Sequence, residues 1–465
     1  MSAEMIFWVQ QKRWLLIALA VGAILYFFVP HPQSLSLEAY HILIIMLMTL
    51  IMILKEPIPL PAIALQVIFW QVIIGGSTPN EVGGYFMSDA VFFMMGSLML
   101  AVAIVSQGLD KRLALFLVSL TGNRTWRIVA GFTLTAALLS SVIGPHLVTA
   151  ILLPVALTLI RFSPDRGKGL VALSAALLFA IAYGANVGSI GTPSGGPRNV
   201  IMMNYWQEFA FTSLSYLGWI RRVYPMVLLE IPFSVWIILK TFPPEQQHMD
   251  SAVRHLLVEV RRDGKISPAQ GLTLVLLALM LLGWVFFGEQ LGMGTIALIG
   301  VFLFMVTGLV QWKEISAGVN WGVVLLFAST ISIGVQMKNT GAAIWLAEGS
   351  VSILGSLLPN LDWVRAILSV GLSVGMANLI SPSATVAVAG PIVLNLGGDP
   401  ILLGLASVIA SAFGYFTAVA APACTIIYSS GLVKAPDFLK AGWKMALMSI
   451  LSLTVIALFW WPLFS

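Results

Sequence analysis

Charged side chains are scarce: Asp, Glu, Lys and Arg make up 9% of the 465 residues, against roughly 25% in soluble globular chains. A chain this poor in charge cannot cover a water-facing surface, so no separate soluble domain is expected. Cysteine is almost absent, and Cys424 alone excludes an internal disulfide or a cysteine-built metal site within one chain. His-Glu-x-x-His, Gly-x-Ser-x-Gly and paired catalytic aspartates are all missing, which leaves nothing to support an intramembrane enzyme. The formal net charge is only +5. Its Lys and Arg sit in short clusters between apolar runs, the pattern of topology-setting residues rather than of a nucleic-acid surface.

Hydrophobic residues, in contrast, make up 59% of the chain, and the mean hydropathy of +0.97 is spread along nearly its whole length. The bilayer is therefore the solvent for the entire fold. A helix needs roughly 20 mostly apolar residues to cross about 30 Å of hydrocarbon. Runs of that kind lie near 14–30, 37–54, 58–76, 89–107, 170–187, 220–240, 268–288, 294–311, 319–337, 402–420 and 441–463. They predict an all-α polytopic membrane protein with about 11 spans. The first run follows Lys12 and Arg13 but ends in Tyr26 to Pro30 without a small-residue cleavage site, so it is read as a retained helix.

Two more apolar stretches, 128–161 and 363–397, are split in the middle by Gly144-Pro145-His146 and by Ser381-Pro382-Ser383. Proline removes a backbone donor and clashes with the preceding turn. These centres are expected to be the tips of re-entrant helical hairpins, because irregular backbone at membrane depth survives only beside a protein-lined or wet cavity. Two ordinary Pro-kinked spans are the alternative. With hairpins, the basic clusters from Lys12/Arg13 through Lys111/Arg112, Arg161/Arg166, the loop with Arg254, Arg261, Arg262 and Lys265, and on to Lys434/Lys440 share one side. That side is read as cytoplasmic. The N-terminus is then inside and the C-terminus outside an inner membrane; Arg221/Arg222 do not fit.

The two halves resemble each other. Pro145 and Pro382, and likewise Pro154 and Pro391, are 237 residues apart, while Thr192-Pro193 and Ala421-Pro422 are 229 apart. The predicted organisation is an N-terminal helix, 1–36; a first repeat, 37–241, with an inner hairpin 128–161 and a broken helix 170–207; a cytoplasmic linker, 242–267; and an oppositely oriented second repeat, 268–465, with an outer hairpin 363–397 and a broken helix 402–431. Inverted repeats around a midplane site are the architecture of many secondary transporters.

Four constellations carry the chemistry. Gly191 to Asn199 holds three Gly and two Pro before Arg198, so the helix must open there and resume near Val200. The resumed half-helix directs free N–H groups and its positive dipole end into the cavity, and Arg198 adds a charge suited to carboxylate or sulfate. Alternatively Arg198 snorkels to the interface. His146 at the first tip either binds an anion or a proton, or rests neutral on a carbonyl. Ser381, Ser383 and the break at Ala421-Pro422 supply hydroxyls and free carbonyls for an oxyanion or for Na⁺, or merely allow close packing. Glu230 and Asp89 are read as scaffold or interface residues.

At these residues, and at Phe93 to Leu98, Ala150 to Pro154 and Ile427 to Lys434, the chain resembles the divalent anion/sodium symporter family of dicarboxylate, citrate and sulfate carriers. The resemblance implies homodimers in which a transport domain moves like an elevator against a scaffold, with substrate and Na⁺ between hairpin tips and broken helices. It places substrate at Gly144, Pro145, His146, Thr192, Pro193, Arg198, Asn199, Ser381, Pro382, Ser383, Ala421 and Pro422. A Na⁺ site is implied at Ser140, Gly144 and Gly195. The chain departs from the family's Ser-Asn-Thr tips: both Asn are Pro145 and Pro382, and Ala377 replaces a serine. Proline supplies no side-chain oxygen, so the second Na⁺ site is expected to be weakened, with His146 and Arg198 replacing part of the work of Na⁺. The expected function is secondary transport of a small dicarboxylate, sulfate or related anion coupled to Na⁺ or H⁺. Uniport, exchange or a channel is the alternative.

Overall fold

The computed structural model describes residues 3–109, 112, 121–163, 167–210, 212–251, 253–254, 258, 266–355, 361–418 and 420–464. Of the basic clusters, Lys111, Arg166, Arg261, Arg262 and Lys265 lie outside the described residues. Among those described there is no β-strand, only an isolated bridge between Arg124 and His248.

The helices, in chain order, are α1 Ala3–Phe28, α2 Leu37–Lys55, α3 Leu60–Ile73, the short α4 Pro79–Tyr85 and α5 Asp89–Ser106. Then come α6 Thr125–Ile143, α7 Pro145–Arg161, α8 Gly167–Gly188, α9 Pro197–Ala210 and α10 Tyr216–Thr241. The second half has α11 Pro268–Leu291, α12 Met293–Val306, the short α13 Trp312–Gly318, α14 Trp321–Asn339 and α15 Ala342–Gly355. It ends with α16 Leu361–Ala377, α17 Pro382–Leu394, α18 Pro400–Ala410, α19 Pro422–Ser429 and α20 Ala435–Val455. Among the described residues eight helices are long and apolar enough to span a bilayer, counting α20 through its continuation to Phe464, and six more are apolar but shorter.

The starts follow local chemistry. Ser36, Ser215 and Ser381 accept from backbone N–H groups of the first turns of α2, α10 and α17, and Ser267 with Gln270 closes a capping box on α11. Such caps satisfy donors that a helix start leaves unpaired. The interruptions follow it too. Each half-helix after a break begins on proline, at Pro145, Pro197, Pro382 and Pro422, where the missing N–H costs nothing and φ is already helical. Both predicted hairpin stretches are therefore helix–break–helix units, spanning Thr125 to Arg161 and Leu361 to Leu394.

Two expected boundaries move. The first broken helix resumes at Pro197 after a 3₁₀ turn, Pro193–Gly195, three residues before Val200. The run 402–420 is not one helix, since α18 stops at Ala410. Gly414 lies so close to the end of α16 that a Cβ there would sit 2.6 Å from the Ala377 carbonyl oxygen, an approach a regular helix through this region would not make.

α8 is the central element: 83% of its apolar stretch is buried, against 22% for α11. It packs on α6, α7, α10 and α19. α5 pairs with α12, and α3 with α14. A separate cluster joins Ala18, Met52, Ile53 and Ile63 of α1–α3 to Ile380 and Ala384 beside the second tip.

Candidate anion site

Gly144 links α6 to α7 with φ 81° and ψ 156°, a conformation that glycine adopts without a steric penalty. The chain turns there, and Ser140 and Ser141 on the last turn of α6 face the end of α8. Ser140 donates to the Ala185 carbonyl at 2.7 Å, and Ser141 donates to the Gly188 carbonyl at 2.9 Å. Thr192 donates back to the Ser141 carbonyl, tying the opened loop to the tip. Ser140, expected to face Na⁺, thus has its hydroxyl engaged with backbone.

The loop itself is tightly held. Asn199 donates to the Ser189 carbonyl at 2.8 Å and to the Thr192 carbonyl at 2.7 Å, so its side chain folds the loop onto the end of α8. Ser194 shares a hydrogen bond with Tyr216 at 2.9 Å, and Trp219 donates to the Ile190 carbonyl at 2.8 Å. A Cβ on Gly195 would meet the Ser189 carbonyl oxygen at 2.4 Å, so this position admits no side chain.

The tip and the loop meet around one cavity of about 30 Å³, lined by Gly144, Pro145, His146, Ser194, Gly196 and Pro197, and closed by Met94, Ser97 and Leu98 of α5. A volume of that size holds a water or two. Two half-helices, α7 from Pro145 and α9 from Pro197, start at this cavity. Their first N–H groups and dipole ends favour negative charge. His146 is half-buried and lines the same wall.

Arg198 does not snorkel. It is 4% exposed and turns away from the cavity lining toward the end of α8, donating to the Ser189 hydroxyl and, at 3.5 Å, to the Asn186 carbonyl; its Nε is unpaired. Among the described residues no carboxylate lies within salt-bridge reach of it, so its charge sits in a low-dielectric site without an ion pair. Asn199 keeps a buried amide oxygen without a partner.

The second half contributes unequally. α19, starting at Pro422, packs against both α7 and α8, and Asn186 reaches the Cys424 sulfur at 3.9 Å. Ala421 is buried there while Pro422 is exposed. The second tip stands elsewhere: Ser381 is exposed and caps α17, Pro382 is buried, Ser383 is half-buried, and none of the three lines the cavity. Its link to the second break is Asn378, which donates to the Phe413 carbonyl at 3.3 Å and accepts from the Phe416 N–H at 3.0 Å. Ser97, Leu98 and Tyr216 went unassigned in the sequence, because nothing local distinguishes them from packing residues.

A family described as the sodium:sulfate symporter transmembrane region matches residues 10–465. Sodium-dependent high-affinity dicarboxylate transporter 3 of Caenorhabditis elegans is 27% identical, over 87% of this chain and 80% of its own length. The sodium-dependent dicarboxylate transporter SdcS of Staphylococcus saprophyticus is 24% identical, over 93% and 88%. In three dimensions the chain resembles the YdaH transporter of Alcanivorax borkumensis, described as having an unusual topology, with a TM-score of 0.58 over 98% of both chains at 13% identity.

Proposed function

Because the chain belongs to the sodium:sulfate symporter transmembrane-region family, a family of multi-pass membrane transporters and not of enzymes, we propose that it is a secondary carrier of a small dianion, a dicarboxylate by preference, driven by Na⁺. The observation that carries this reading is the meeting of two half-helix starts, at Pro145 and Pro197, around one small cavity. Two positive helix ends, the His146 ring and the nearby Arg198 charge make a site for a carboxylate or sulfate group. The dicarboxylate preference and the Na⁺ coupling rest on the relatives' names.

Substrate contact is assigned to Gly144, Pro145, His146 and the loop from Thr192 to Asn199, with Ala421 and Pro422 of the second break approaching from α19. Ser381, Pro382 and Ser383 join only when the second tip moves. Na⁺ is assigned to the backbone oxygens of the tip and loop at Gly144 and Gly195, with Ser140 as a support. The halves act as inverted repeats in an inner membrane, and a homodimeric scaffold holds α5 while tip and loop move past it like an elevator.

Proteoliposomes test this. Succinate uptake should saturate, accelerate under an inward Na⁺ gradient and show counterflow, with sulfate as competitor. Uptake that neither saturates nor exchanges would identify a channel and defeat the carrier reading; saturable uptake indifferent to Na⁺ would remove the coupling ion.

A further inference from the structure

Glu230 lies near the middle of α10, fully buried at 0% exposure, and neither carboxyl oxygen has a hydrogen-bond partner. Among the described residues no Lys, Arg or His lies within salt-bridge distance of it. An ionised carboxylate held this way has no hydrogen bond or ion pair to offset its lost hydration, whereas a bound proton removes the charge altogether.

Its surroundings form a chain of unpaired polar atoms. Ser449 of α20 is the nearest side-chain hydroxyl, close to both Glu230 and Tyr415 without closing a hydrogen bond to either. The Tyr415 hydroxyl, also orphaned, is close enough to feel the charges of both Glu230 and Arg198. The unpaired Nε of Arg198 ends the row. Buried orphaned groups are rare enough to need an explanation.

The other titratable groups on elements packed against α10 are remote or engaged. α6 carries only Arg127, in its first turn, and α11 only Glu289, in its last. α8 carries Lys168 at its start and Tyr183, which stacks edge-on against Tyr415. On α20, Asp437 caps the first turn and accepts from the Lys434 N–H. Lys440 of that helix lies over the Phe242 ring, and Lys444 donates to Thr241, 11 positions beyond Glu230 on α10. Of α10 itself, Tyr216, Arg221 and Arg222 lie toward the start and Lys240 toward the end, and Tyr224 is six positions before Glu230.

We propose that Glu230 is a proton-binding site linked to the anion site through Tyr415 and Arg198, so that the proton is bound with the anion and released with it. This rests on the carrier reading above. An anion beside the two half-helix starts screens Arg198 and makes the local potential more negative, which favours a proton on Glu230. By reciprocity a proton on Glu230 leaves the Arg198 charge uncompensated and tightens anion binding.

The test uses the full chain in detergent. Infrared pH titration should show a neutral-carboxyl band in the wild type that Glu230→Gln lacks; identical spectra overturn the proton site. Succinate affinity, measured calorimetrically at fixed Na⁺, should fall as pH rises, by up to about tenfold per pH unit for one linked proton. Glu230→Gln should hold the tight-binding limit at every pH. Tyr415→Phe should keep the infrared band and lose most of the pH dependence. A pH dependence unchanged in Glu230→Gln would assign it to His146 and overturn the linkage. If Glu230→Gln fails to fold, Glu230→Asp and Ser449→Ala should displace the titration, and no displacement overturns the proposal. Wild type that binds neither succinate nor sulfate defeats the carrier reading, while the infrared comparison still decides the proton site.

Discussion

Arg198 shows what one residue does when it brings charge into a membrane fold. Among the described residues its guanidinium meets the Ser189 hydroxyl and, at longer range, the Asn186 carbonyl, but no carboxylate, so in the proposed carrier an anion in the neighbouring cavity would be its counter-charge. Arg198→Ala and His146→Ala should each weaken succinate binding on the order of tenfold, the worth of one charge-assisted hydrogen bond. Calorimetry on purified protein checks this, and unchanged affinity in both variants would remove them from the site. The glycines of the loop make a matched pair. Gly195→Ala places a methyl 2.4 Å from the Ser189 oxygen, whereas at Gly196 the nearest atom is 3.9 Å away. The first should cost about 2 kcal/mol by thermal denaturation and the second a few tenths. Equal losses would contradict the described loop.

At the scale of elements, each half pairs a helix–break–helix unit with a broken helix, and a few polar side chains do the joining. In the first half these are Ser141, Thr192 and Asn199; in the second Ser369 and Ser373 tie α16 to Leu403 and Ser407 of α18, and Asn378 bridges Val374, Phe413 and Phe416. Asn378→Ala would orphan a buried N–H and a carbonyl at once, a loss of about 1–3 kcal/mol. A lowered midpoint of thermal unfolding, with succinate binding retained, is the expected outcome. The four breaks were legible beforehand because proline and glycine act locally, on the backbone donor and on φ. The limits of α18 were not, because Ala410 ends that helix where Gly414 packs against Ala377, a contact between distant segments.

For the whole molecule, the proposed carrier needs the α5 wall of the cavity to separate from the tip. Ser97 of α5 and His146 of the tip both line the cavity, so a short thiol-reactive cross-linker between Ser97→Cys and His146→Cys should abolish counterflow, and a cleavable linker should restore it on reduction. The buried Cys424 should stay unmodified. Transport that continues in the cross-linked protein would mean that tip and α5 do not separate.

Composition, proline spacing and the repeated motifs determined by themselves that this is an all-helical membrane protein with four interruptions, because hydration cost and backbone sterics act residue by residue. Which interruptions meet was decided only by tertiary structure. The first tip and first loop close one cavity, while the second tip packs against α1–α3. Glu230 was read as scaffold for the same reason: a carboxyl in an apolar run acquires meaning only when folding brings Ser449 and Tyr415 beside it, from α20 and the second break.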